Sequence, residues 1–249
     1  MDATTTNDNK HNILFICTSS LPGLWLDELA TPYYIFKGVG YHIDICCINN
    51  AIQVDEASLN HNMTKEAAAF INDHDAQCIY KDPYSLDNIV NNNSLLSKYG
   101  CVYLTGGHGC LRDYINNDSL TRLLEYVYNN NKGCIGAICH GLIGLLNVKE
   151  QNGKYLLKDK FVSGFTNEEE NSLGLLSKLP LTVEDSLDER GALLVKAAPW
   201  NPKACVDSRL ASGQNPQSSV EVAERVLDIL RSLGNTFSPP GNVNKPWGK

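Results

Sequence analysis

The chain has 249 residues, 43% of them apolar and 20% charged, with a formal net charge of −7 and no basic cluster. That length and balance fit one large soluble α/β domain and argue against nucleic acid or anionic membranes as partners. No apolar run approaches the roughly 20 residues that span a bilayer. The opening "MDATTTNDNKHN" lacks a basic-then-apolar secretory pattern, so a cytoplasmic protein is expected, with the nucleus as the alternative.

Short apolar runs alternate with longer amphipathic segments, the rhythm of a βαβ fold. After a tail at 1–11, "ILFICT" (13–18) is the first strand, followed by a helix over 26–37. "HIDICCI" (42–48) is the second strand, with a helix at 64–73. The Asn-rich segment 82–97 reads as a surface excursion. Strands "CVYLT" (101–105) and "GCIGAI" (133–138) flank a helix at 118–130, and a further helix is expected at 141–146. "KFVSG" (160–164) and "ALLVKA" (192–197) complete the strands, with helices at 167–177 and 183–189. "DSRLASGQNP" reads as a short hairpin or turn with Gly213 and Pro216 as breakers. The clearest helix, 218–233, sets Val222, Val226, Ile229 and Leu230 on one face. Residues 235–249, with paired prolines and no periodicity, read as a mobile tail.

Residues 12–234 are thus expected to form a single α/β domain, a doubly wound, mainly parallel sheet with helices on both faces. Continuous apolar runs without clean alternation fit strands covered on both sides. The nine cysteines include no Cys-x-x-Cys pair, so they read as reduced thiols, most of them small core residues, rather than a zinc knuckle or a disulfide framework.

In such a sheet, ligands bind where strands end and helices begin. Three of these junctions carry useful chemistry. Cys139 follows "CIGAI" and precedes His140-Gly141, so a sharp strand-to-helix turn would expose the thiol as a nucleophile. A helix N-terminus there is expected to pull its pKa below the usual value near 8.5. "LTGGHGCLRDY" places Gly106, Gly107 and His108 after a strand, where backbone N–H groups could line an oxyanion hole. His108 and Cys110 alone make a poor metal site, and no metal is expected. The loop is neither a Walker A sequence nor a dinucleotide fingerprint, so no cofactor is expected either. In "GFTNEEE", Asn167 can cap the next helix, and one of the three glutamates remains to orient an imidazole. Glu28 lies among apolar residues near a helix start, where a carboxylate is costly unless employed, and a raised pKa would let it hold a proton for a neighbouring thiolate. Because His140 is adjacent to Cys139 in a tight turn, Glu28 is expected to make the more direct contact with the sulfur.

With these residues in place, the chain resembles the ThiJ/PfpI superfamily, in the branch that holds glutathione-independent glyoxalase III enzymes and related heat-shock chaperones. The matching pieces are "DELATPYYIFKGVGYHIDI", "LTGGHGCLRDY", "GAICHG", "SGFTNEEE", "LTVEDSL" and "DSRLASGQNP". The resemblance implies a flavodoxin-like, class I glutamine amidotransferase-like fold. It makes Cys139 the elbow nucleophile, His140 its partner, Glu170 the acid orienting His140 and Glu28 the carboxyl beside the thiol. It further implies a cysteine-dependent, cofactor-free hydro-lyase of the D-lactate dehydratase class, acting on small dicarbonyls such as methylglyoxal and glyoxal, and a homodimer. Leu142 stands where many relatives have proline. The amidotransferases proper need a His-x-Glu pair late in the chain, whereas the six histidines here end at His140. The alternatives are a stress-responsive holdase acting on unfolded clients, a protein deglycase, and a redox sensor in which Cys139 is oxidised.

Overall fold

The structure, a computed structural model, describes residues 12–49, 51–60 and 63–234. The tails expected at 1–11 and 235–249 lie outside them. Five strands supply the centre and one edge of the main sheet: β1 (Asn12–Cys17), β2 (His42–Cys47), β3 (Tyr84–Ser85), β4 (Tyr99–Leu104) and β5 (Cys134–Ile138). Two short strands, β6 (Phe161–Val162) and β7 (Leu193–Leu194), stand apart from it, and the hairpin β8 (Ala204–Asp207) and β9 (Leu210–Gly213) closes the other edge. The seven-stranded order is β3-β2-β1-β4-β5-β9-β8, parallel throughout except for the antiparallel β8. This is the doubly wound sheet that the alternating pattern predicted. The winding direction reverses between β1 and β4, which opens a crevice at their C-terminal ends.

Alternation along β4 shows how both faces are filled. Tyr103 packs with Phe15 and Phe36, ring centroids 5.0 and 5.9 Å away, beneath the helix Asp27–Gly38. Its neighbour Leu104 points the opposite way, toward Gly144 and Leu120 of the helix Asp118–Glu125. Every residue of β4 and β5 is buried, the burial expected of continuous apolar runs. The helix Ser219–Ser232 lies on β5 and β9 and buries Val222, Val226, Ile229 and Leu230. It matches the sequence-based range within a residue at each end.

Several expectations are corrected. The runs at 160–164 and 192–197 supply only β6 and β7, which pair as a separate two-stranded parallel sheet. Phe161 and Leu193 are exposed there. The place beside β5 is taken instead by β9, "LASG", the second strand of the hairpin expected at "DSRLASGQNP", and all four of its residues are buried. No propensity scale favours that strand; close packing selects it, since a side chain at Gly213 would clash with Val222. The excursion at 82–97 contains β3 and the helices Leu86–Val90 and Asn93–Leu96. The expected helix at 118–130 is α-helical only to Glu125 and continues as a π turn, Tyr126–Asn130.

Candidate active site

The site is built on the turn after β5. Ile138 is extended, and Cys139 then takes a positive φ of 56°, an uncommon conformation for a residue with a Cβ. That turn ends the strand within one residue and starts a 3-10 helix, Cys139–Leu145. Gly141 is required by close approach: a Cβ there would stand 2.7 Å from the carbonyl oxygens of Leu104 and Thr105. The α-helix expected from 141 is therefore a tighter helix that begins at the cysteine itself. Its N-terminus does not depress the thiol's pKa. Cys139 is only 3% exposed, and burial, reinforced by the Glu28 carboxylate, pushes it well above the ordinary value. Its resting form is the thiol.

His140 does face the sulfur, contrary to the expectation from its adjacency. Its Nδ1 lies 3.2 Å from Cys139 Sγ, and the positive φ is what allows the two side chains to converge. On its other side, Nε2 is 2.7 Å from Glu170 Oε1. Burial holds the His140 imidazole down at about 4, so it is neutral at physiological pH. Burial would raise the Glu170 carboxyl, but hydrogen bonds from His108 and His140 outweigh it and bring it down to about 2. An ionised carboxylate can only accept, so the imidazole proton resides on Nε2 and Nδ1 offers a lone pair to the sulfur.

Glu28 is completely buried and flanks Gly106 together with Cys139: a Cβ on Gly106 would strike Glu28 Oε2 and come within 2.8 Å of Cys139 Cβ. Burial pushes its carboxyl up to about 8, against the opposing pull of the Cys139 thiol and the Gly106 N–H. Neither oxygen has a well-aligned hydrogen bond, but the carboxyl and the Cys139 thiol are close enough to shift each other's titration. Both Glu28 and His140 thus reach Cys139, from different sides.

The glycine loop after β4 divides its labour differently from the expectation. Gly106 N–H faces Glu28, and Gly107, with φ of 109°, packs on the backbone of Gly23 and Leu24. His108 turns to Glu170, its Nε2 3.0 Å from Oε2, with its ring 4.0 Å from that of His140. Glu170 therefore bridges two histidines. The donors of His108, His140 and Glu170 lie within 4.8 Å of one another, a set that cation ligation could use, assembled from three segments rather than from the His108–Cys110 pair. Each imidazole Nε2 already engages the carboxylate, so a metal here would displace the bond that orients His140. Cys110 points elsewhere, its thiol donating to Thr105 O.

Reading the sequence missed Glu169. The helix cap is Thr166, not Asn167: Thr166 Oγ1 accepts from Glu169 N, and Glu169 Oε2 accepts from Thr166 N. The capping-box spacing Thr-x-x-Glu was visible in "TNEE" and identifies it. Glu169 Oε1 further accepts from Trp200 N, Gln214 Nε2 and Asn215 Nδ2 at 2.9, 3.1 and 2.7 Å. The buried carboxylate thus ties the helix carrying Glu170 to two later loops. Sequence patterns also gave no sign that Trp25 and Trp200 would line the same cavity as Cys139, His108 and His140.

A doubly wound sheet with a buried cysteine at a strained elbow, backed by histidine and glutamate, defines a cysteine-elbow α/β protein. The chain belongs to the ThiJ/PfpI family, whose "ThiJ/PfpI family-like" model matches residues 20–171. Among curated relatives, it is 29% identical to the glutathione-independent glyoxalase HSP31 of Saccharomyces cerevisiae, over 90% of this chain and 95% of that one. It is 27% identical to glyoxalase 3 of Candida albicans, over 88% and 94%. Of solved structures, Rapid Encystment Protein 24 KDa of Francisella tularensis aligns with a TM-score of 0.79 and 34% identity, covering 88% of this chain and 98% of that one. Among the described residues, no helix is long and apolar enough to cross a membrane.

Proposed function

We propose that the protein is a glutathione-independent glyoxalase that converts methylglyoxal and water to D-lactate through Cys139. The observation that carries the reading is the alignment of Cys139 Sγ, His140 Nδ1 and Glu170 at 3.2 and 2.7 Å, in a chain whose curated relatives bear that name. His140 Nδ1 takes the thiol proton as the sulfur adds to the aldehyde carbon, forming a hemithioacetal. The same nitrogen, neutral again once its proton has passed to the hemithioacetal oxygen, removes the hydrogen on that carbon to give an enediolate. Reprotonation at the neighbouring carbon yields a lactoyl thioester, which water hydrolyses to lactate and free thiol. Glu28, held protonated by burial, keeps a proton beside the sulfur and spares the pocket a second negative charge. N–H groups of Gly107 and of the Cys139–His140 turn stabilise the oxyanion.

The relatives' names support this enzymatic reading over the holdase alternative. Lactate formation from methylglyoxal without glutathione, compared between wild type and Cys139→Ala, tests it. Lactate from wild type and none from the variant is expected; equal production by both would remove Cys139 from the mechanism.

A further inference from the structure

The cavity that exposes Cys139, His108 and His140 has a volume of about 430 Å³. That size suits a drug-sized ligand rather than a three-carbon oxoaldehyde. The rest of its wall is largely apolar, with Trp25, Phe165, Leu173, Trp200 and Pro216. Among the described residues that line it, none is lysine or arginine. Asp27 is the only carboxylate there, and it is occupied by Trp25 Nε1 at 3.0 Å and by Thr64 N and Oγ1 at 3.0 and 2.6 Å. Among the described residues of the wall, no lysine or arginine is available to a negatively charged substituent, and much of the wall would welcome an apolar one.

One indole is fixed by its side chain and the other is placed by its backbone. Trp25 is fixed by its bond to Asp27. Trp200 occupies the left-handed region with φ of 64°, a conformation that a bulky residue adopts only when its surroundings enforce it. The contact that holds it there is its backbone N–H, which donates to Glu169 Oε1. Its ring meets Phe165 at 5.8 Å, and Phe165 in turn lies 4.6 Å from the His140 ring. An aromatic wall therefore runs from the catalytic imidazole to the rim, anchored by the glutamate next to Glu170.

We propose that this site selects 2-oxoaldehydes carrying an aryl or branched apolar substituent, which Trp25 and Trp200 grip while the aldehyde carbon meets Cys139. The proposal rests on the glyoxalase reading above and names its substrate class. The reaction is unchanged in balance: R–CO–CHO and water give R–CHOH–COOH, with no external oxidant or reductant, so phenylglyoxal would give mandelate.

The test measures kcat/KM of the purified full-length chain for methylglyoxal, isopropylglyoxal and phenylglyoxal without glutathione, each read as its 2-hydroxy acid. The alkyl pair separates size from the electronic effect of a phenyl ring. An apolar pocket rewards added apolar groups by about tenfold or more, so kcat/KM should rise at least that much from methyl to isopropyl, chiefly through KM. Trp200→Ala and Trp25→Ala should each lower the isopropyl-to-methyl ratio, and Trp200→Phe should preserve it. A wild-type ratio at or below one overturns the proposal, as does a ratio unmoved in both alanine variants. Acid formation from methylglyoxal alone would leave the glyoxalase reading standing and sink only this one; no acid from any of the three would sink both. The wild-type series decides the matter even if a variant fails to fold.

Discussion

His140 Nε2 lies 2.7 Å from Glu170 Oε1, and this contact decides which imidazole nitrogen faces the sulfur. With Glu170 ionised, the proton stays on Nε2 and Nδ1 is a base 3.2 Å from Cys139. Glu170→Gln replaces an obligate acceptor by a group that can also donate, which permits the wrong tautomer. Lactate formation should fall by about a hundredfold or more, largely in kcat, as for other nucleophile–histidine–acid arrangements. Retention of wild-type kcat would show that Glu170 does not set the tautomer.

Glu28 carries an alkaline signature. Its carboxyl is raised from 4.5 to about 8 because burial penalises the charged form. The native state therefore binds this proton more tightly than the unfolded chain, and the associated stability is complete below the unfolded value and lost as pH rises through about 8. Between about pH 4.5 and 8 wild type should lose on the order of 5 kcal/mol of unfolding free energy that Glu28→Gln does not lose. Urea unfolding at mildly acidic and mildly alkaline pH checks this; parallel behaviour of the two proteins would rule out a protonated Glu28.

The elbow conformation can be tested without reference to activity. At a φ of 56°, glycine avoids a steric penalty that alanine incurs, on the order of 1 kcal/mol. Cys139→Gly should therefore be the more stable of Cys139→Gly and Cys139→Ala by about that amount in thermal or urea unfolding. Both should be inactive. Alanine emerging as the more stable variant would contradict the turn described here.

Gly106 and Gly38 form a matched pair. A Cβ on Gly106 would collide with Glu28 Oε2 and crowd Ile138 O and Cys139 Cβ, whereas one on Gly38 would meet nothing within 4 Å. Gly106→Ala should lower stability by about 1–3 kcal/mol through overpacking and suppress lactate formation. Gly38→Ala should be neutral or stabilising by up to about 1 kcal/mol. Differential scanning calorimetry of the two, with lactate assays alongside, would expose an open Gly106 environment if one existed.

Much of this architecture was legible because it is encoded locally. The runs that became β1, β4 and β5 are largely apolar on both faces, and the helix Ser219–Ser232 has a clean stripe. Cys139, His140, Glu28 and Glu170 all stand at or near strand ends, where the fold gathers chemistry, and the structure brings the four together. The failures share a physical cause. The hairpin expected at "DSRLASGQNP" forms as β8 and β9, but its place beside β5 was not legible, since the close approach of Val222 to Gly213 is set by a later helix. The raised pKa of Cys139 reflects burial by distant segments, whereas the adjacent turn had argued for a lowered one. The orientation of His108 depends on Glu170, 62 positions later.

Glu169 also has a consequence for how the protein comes into being. Thr166 meets one of its oxygens, Oε2, locally, but Oε1 finds its partners only when Trp200, Gln214 and Asn215 arrive from the last fifth of the chain. Until then Oε1 lacks these three partners, and the helix that carries Glu169 and Glu170 is not tied to the later loops. Contacts of such long reach close late in folding. A growing or clipped chain that lacks the final hairpin therefore holds its cysteine and histidine without the means to align them. Alignment of the site thus rests on contacts that span 31 to 46 positions of the chain.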